Sequence, residues 1–174
     1  MNTILHNFIF KNRGELSFED MTNEWGLSLP GFSNGAAYGD LDNDGDPDLV
    51  VNQINGNALL YRNNSKPKNF LKINLKADLI KGNKFAIGSK VIVTRVANIQ
   101  MQELFPSRGW CSSSDYALTF GLPASNDSLS VKVIWPDGKV SDQLVTSNKV
   151  TIEYDTNNGQ HDIDPLQTTL LSGV

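Results

Sequence analysis

Five aspartates alternate through Asp40-Leu41-Asp42-Asn43-Asp44-Gly45-Asp46-Pro47-Asp48, at the odd positions of a nine-residue stretch. Two unit charges about 4 Å apart repel by roughly 1 kcal/mol in bulk water. An exposed Asx-rich turn could therefore survive such crowding, but a loop wrapped around a cation would turn it into affinity. Strict alternation, a central glycine and apolar strand-like flanks favour the cation. In a tight loop alternate side chains converge on one point, and Gly45 permits the sharp turn that brings the second half around.

The chemistry this implies is that of a hard cation. Ca²⁺ takes six to eight oxygens in a flexible geometry, whereas Mg²⁺ insists on a near-octahedral shell and keeps several waters. Asp40, Asp42, Asp44 and Asp48 are expected to coordinate through their carboxylates and Asp46 through its main-chain carbonyl. The opening of the loop resembles an EF-hand, but position 12 is Val51 rather than Glu and no helical pattern flanks it. The sequence describes a nine-residue loop between β-strands.

The elements around it read as strands. Asp48-Leu49-Val50-Val51 follows the loop, and Ala58-Leu59-Leu60-Tyr61 follows the turn Asn55-Gly56-Asn57. Phe70 to Leu75, Lys90 to Val96 and Ser130 to Trp135 are further β-branched and aromatic runs, the last with Val131, Val133 and Trp135 on one face. Pro136-Asp137-Gly138 supplies a turn, and Val140 to Val145 is the expected hairpin partner. Helical spacing is weak; only Phe18 to Trp25 could form a turn or two, with Ser17 as N-cap. The fold class is all-β.

Polar and Pro-containing Asn63 to Lys68 breaks the chain between two strand-rich blocks, and periodicity ends after Tyr154. The expected organisation is one unit over 1–66, a second over 67–155, and a tail or interdomain linker over 156–174.

With 174 residues, 39% hydrophobic and 20% charged, the chain suits globular domains rather than disorder. The net charge is -4 and the five loop aspartates more than supply it, so the remainder carries one net positive charge. No Lys/Arg run offers a footprint for nucleic acid. A single cysteine, Cys111, excludes an internal disulfide and a cysteine zinc site; it reads as a partly buried small side chain. His6 and His161 are too far apart in sequence to suggest an imidazole site. The N-terminal MNTILHNFIFKNRGE lacks the layout of a signal peptide, and no apolar run approaches 18 residues.

GAAYGDLDNDGDPDLVV, with the preceding FKNRGELSFEDMTNEWGL and following GNALLYRNN, resembles an FG-GAP or VCBS-type repeat. That resemblance implies a blade of a calcium-binding β-propeller, with Asp40, Asp42, Asp44, Asp46 (carbonyl) and Asp48 as ligands. The second block is similar to the ASPIC/UnbV domain through Asn69-Phe70-Leu71, Ala86 to Val91, Ser112-Ser113-Ser114, Phe120-Gly121-Leu122 and Trp135 to Gly138. Lys84 stands where that family often has Arg, and Pro123 where Gly is common. The implied architecture is propeller-blade-like antiparallel hairpins with a calcium loop, followed by a small β-sandwich or barrel-like domain. One acidic loop is too few for a propeller, which needs several repeats to bury a continuous core. The resemblance therefore implies further repeats in a longer parent chain, at an extracellular, periplasmic or outer-membrane surface.

The leading functional expectation is a calcium-braced, non-catalytic binding or scaffold module for a glycan or surface protein. An RNA-binding module is the alternative, resting on Trp110 beside Arg108 and on Phe105, although packing is the simpler role for such a cluster. An accessory domain of a secreted enzyme is a second alternative. Catalysis by the chain itself lacks a base: Ser112-Ser113-Ser114 has no G-x-S-x-G setting and reads as a polar turn or strand edge. Asp115, Asp127, Asp137 and Asp142 carry no pairing signal as catalytic carboxylates.

Overall fold

Alternation along Leu129–Ile134 becomes alternating burial: Leu129, Val131 and Val133 are buried while Ser130 and Lys132 are exposed. The same pattern recurs along Phe70–Lys76 and Lys90–Arg95, and the computed structural model is built of strands without a helix among the described residues. Those residues are 4–65, 69–77, 82–96, 98–123 and 128–156. Lys66 to Lys68 of the expected break, Asp127, His161 and residues 157–174 of the expected tail lie outside them. No helix among the described residues is long and apolar enough to cross a membrane.

Contacts divide the chain into two units. The first comprises Met1–Leu41, Pro47–Asn64 and Ser107–Ser114; the second comprises Asp42–Asp46, Ser65–Pro106 and Asp115–Val174.

In the first unit, β1 (Leu5–His6) pairs with β4 (Pro30–Gly31), and β2 (Phe10–Gly14) pairs with β3 (Ser17–Asp20) as a hairpin whose turn residues Glu15 and Leu16 have positive φ. Strands β5 (Ser33–Gly39), β6 (Asp48–Gln53) and β7 (Leu59–Tyr61) form an antiparallel sheet in that order. Asn55, at φ 58°, turns the chain between β6 and β7. The free edge of β5 is capped by side chains: Ser112 Oγ accepts from Ala36 N at 3.0 Å and Ser114 Oγ from Tyr38 N at 3.4 Å.

The helical turn expected over Phe18 to Trp25 is corrected. Ser17 to Asp20 is strand, because its backbone is taken up by β2. Only a single turn follows: Asp20 Oδ1 accepts from Thr22 N at 2.9 Å, Trp25 N donates to Met21 O at 2.8 Å, and Gly26 at φ 75° ends it. Asp20, not Ser17, is the capping side chain.

The second unit contains two sheets around one core. Strands β10 (Asn98–Glu103), β9 (Lys90–Arg95), β12 (Leu129–Ile134) and β13 (Val140–Val145) form an antiparallel sheet in that order. The other sheet is β11 (Leu118–Gly121), β8 (Phe70–Lys76) and β14 (Lys149–Glu153), with β14 parallel to β8. Leu71, Ile73, Val91, Val93, Phe120, Val131 and Val133, each at most 1% exposed, join the two sheets in one apolar cluster. At the β10 and β11 edges the closure is made by side chains, with Gln102 Nε2 donating to Thr119 O at 2.8 Å and Gln100 Nε2 to Gly121 O at 2.6 Å. This sandwich matches the all-β expectation, and the β12–β13 hairpin runs as expected, Ile134 opposite Val140 and Leu129 opposite Val145.

Candidate metal centre

The acidic loop hangs from two paired strands. Gly39 at the end of β5 is the register partner of Asp48 at the start of β6, so Asp48 is the first strand residue rather than the last of the loop. Its buried carboxylate closes the loop: Oδ2 accepts from Leu41 N at 3.1 Å and Oδ1 from Asn63 N at 2.8 Å. Asn63 Nδ2 also donates to the Pro47 carbonyl at 3.3 Å.

Within the loop, successive Asx contacts set the curvature. Asp42 Oδ1 accepts from Asp44 N at 3.3 Å, and Asp44 Oδ1 accepts from Asp46 N at 3.2 Å. Asn43 and Gly45 have φ of 63° and 99°, left-handed values that asparagine tolerates and glycine adopts without steric cost. The 42–46 segment also packs within the second unit, where Ser65 Oγ donates to Asp46 Oδ2 at 2.8 Å and Gly45 lies against the ring of Phe70.

The result gathers three of the five aspartates. Carboxylate oxygens of Asp40, Asp42 and Asp44 lie within 4.8 Å of one another, with Asp40 buried and the other two exposed. Asp46 and Asp48 are 5% and 3% exposed; both Asp48 oxygens and Asp46 Oδ2 accept the hydrogen bonds just described. The donor set is all hard oxygen, and the curvature brings charges of one sign together, which fits a calcium ion in chemistry and charge.

A family model described as FG-GAP-like repeat matches residues 5–51, and one described as ASPIC and UnbV matches residues 79–159. The chain carries an FG-GAP-like repeat followed by an ASPIC and UnbV domain. No curated protein matches it. All five aspartates fall inside the FG-GAP-like match, whereas Asn63, Ser65 and Phe70, which brace the loop, fall outside both matches. Sequence reasoning missed these three: Asn63 and Ser65 stand in a stretch that reads as a polar break, and Phe70 reads as one more strand aromatic.

The other candidate residues are dispersed. Ser112 Oγ donates to Trp110 O at 2.7 Å while accepting from β5, and Ser113 bridges Ser107, so the serines serve the β5 edge within the first unit. His6 Nδ1 donates to Asn7 O at 3.0 Å. Asp137 lies in the expected turn of the ASPIC and UnbV domain, Asp142 lies in β13, and Asp115 precedes β11. Burial pushes the Asp137 carboxyl up, but hydrogen bonds from Tyr154 Oη at 2.6 Å and Lys139 N at 3.1 Å outweigh it and hold the group below 3.8. Cys111 is exposed, at φ 47°, which corrects the expectation of partial burial: it sits on an outward turn. Trp110 is 72% exposed and Phe105 52%, so neither is a buried core residue.

Proposed function

We propose that this chain is a calcium-braced, non-catalytic binding or scaffold module from a longer multi-repeat protein. Residues 1–66 would serve as the last blade and 67–155 as the appended β-domain. The observation that carries the reading is the convergence of Asp40, Asp42 and Asp44 inside the FG-GAP-like match. Asp40, Asp42 and Asp44 would hold Ca²⁺ through carboxylates, and Asp48 keeps the loop closed by accepting two backbone amides. Bound there, the ion neutralises the crowded carboxylates; it is assigned a bracing role.

Burial in the first unit supports the need for further repeats. Met21, Leu27 and Val51 are its buried large hydrophobics, while Leu5, Phe8, Phe10, Phe18 and Leu60 are each more than half exposed. Apolar strands left this open gain stability when neighbouring repeats cover them. The partner class is a glycan or a surface protein, and the location is extracellular, periplasmic or outer-membrane surface. Calorimetric titration of the chelated chain with Ca²⁺ tests the metal assignment, and a glycan array tests the partner. Absence of Ca²⁺ uptake at millimolar concentration would sink the first.

Exposed Trp110, two residues from Arg108, favours RNA binding as a second reading. Salt-sensitive micromolar binding of a labelled single-stranded RNA, lost in Trp110→Ala, would place it ahead of the first.

A further inference from the structure

We propose that Phe70 is a positioning residue for the acidic loop, its ring forming the seat that holds Asp42 to Asp46 in the cation-binding shape. The inference rests on the reading of the loop as a calcium site. Phe70 opens β8, where Leu71, Ile73 and Leu75 face the core and are buried. By alternation Phe70 faces the other way, with Lys72 and Asn74. Gly45 lies on this outer face, and although it is a loop residue it is buried. A Cβ there would run into Cδ1, Cε1 and Cγ of the Phe70 ring. Two further contacts fix the same segment inside the second unit: Ser65 Oγ to Asp46 Oδ2 at 2.8 Å, and Lys149 Nζ, at the start of β14, to Asn43 O at 3.5 Å.

The physical consequence follows from the charges. Like carboxylates held together repel, so the ion-free loop is pushed to open and let Asp42 and Asp44 splay apart. Contact between Gly45 and the ring opposes that opening, because lifting the loop re-exposes an aromatic face and a buried backbone. A seated loop is pre-organised, and binding does not have to supply its ordering cost. Reciprocity then requires that cation uptake stabilise β8 as much as Phe70 favours uptake.

The test compares full-length wild type, Phe70→Ala, Phe70→Leu and the core control Ile73→Val. Ca²⁺ affinity is read by calorimetry and amide exchange is read over 69–77. Phe70→Ala is expected to bind Ca²⁺ about tenfold more weakly and Phe70→Leu within about threefold of wild type. Ile73→Val should keep its affinity within about twofold while melting lower. Ca²⁺ should slow β8 exchange in wild type and Ile73→Val but not in Phe70→Ala. If wild type takes up no Ca²⁺, the metal reading itself is overturned. If wild type binds and the folded Phe70 variants match it in affinity and in Ca²⁺-dependent protection, the role of Phe70 is overturned and the metal site stands. Should Phe70→Ala unfold, Phe70→Leu and Phe70→Val carry the comparison: graded loss of affinity supports the seat, and affinities equal to that of Ile73→Val refute it.

Discussion

Gly45 answers to two constraints at once, a left-handed backbone at φ 99° and a ring where any side chain would have to go. Gly45→Ala is therefore expected to cost about 2–4 kcal/mol, backbone strain and overpacking together, measured by chemical denaturation in EDTA. Asp44 separates folding from binding. Asp44→Asn keeps an oxygen able to accept from Asp46 N but removes a charge from the triad. It should leave stability in EDTA within about 0.5 kcal/mol while weakening Ca²⁺ binding tenfold or more, whereas Asp44→Ala should lose both. The alternation of aspartates made the loop and its glycine legible in the sequence. It did not reveal that Asp46 Oδ2 accepts from Ser65 and that Asp48 accepts from Leu41 and Asn63, because those pairings are set by strand register and by residues beyond the loop.

Among the elements, the β12–β13 hairpin was the most readable, since period-two burial along β12 and a Pro-Asp-Gly turn set the hairpin and its register locally. Its fastening to Tyr154 was not readable, because that residue is placed by the parallel pairing of β14 with β8 in the other sheet and not by residues near the hairpin. Tyr154, after β14, donates to Asp137 in the hairpin turn and meets Trp135 edge-on at 5.2 Å. Tyr154→Phe should cost about 1 kcal/mol at pH 7. The linkage sign is that of a depressed carboxylate. The Asp137 contribution is complete above the unfolded value near 3.8 and is lost as pH falls through its lower folded value. Stability of wild type and Tyr154→Phe should therefore converge in the most acidic part of a denaturant series run from pH 7 to pH 2. A gap that stayed constant across that series would remove Asp137 from the explanation. The stretch Phe18 to Trp25 misled for the converse reason: its spacing is helical for one turn, but pairing with β2 takes up Ser17 to Asp20 first.

At the scale of the whole molecule, the central expectation is that chelation weakens the fold. EDTA should lower the melting temperature of wild type by several degrees, with Ca²⁺ restoring it, and Asp44→Ala should respond to neither. The all-β class was legible throughout, because strand patterning and turn chemistry agree along the chain. The membership of the two units was not: 42–46 and 107–114 each group with the unit built mainly from the other half of the sequence, which no composition shift announces.

Two strand edges carry side-chain caps spaced two residues apart, Ser112 and Ser114 on β5, Gln100 and Gln102 on β11. An uncapped edge is a template for another chain. These four polar residues are therefore expected to hinder edge-to-edge pairing, in a protein whose first unit already exposes much apolar surface. Losing them should matter little to the melting temperature of a dilute sample and a great deal to how concentrated that sample can become before it forms fibres.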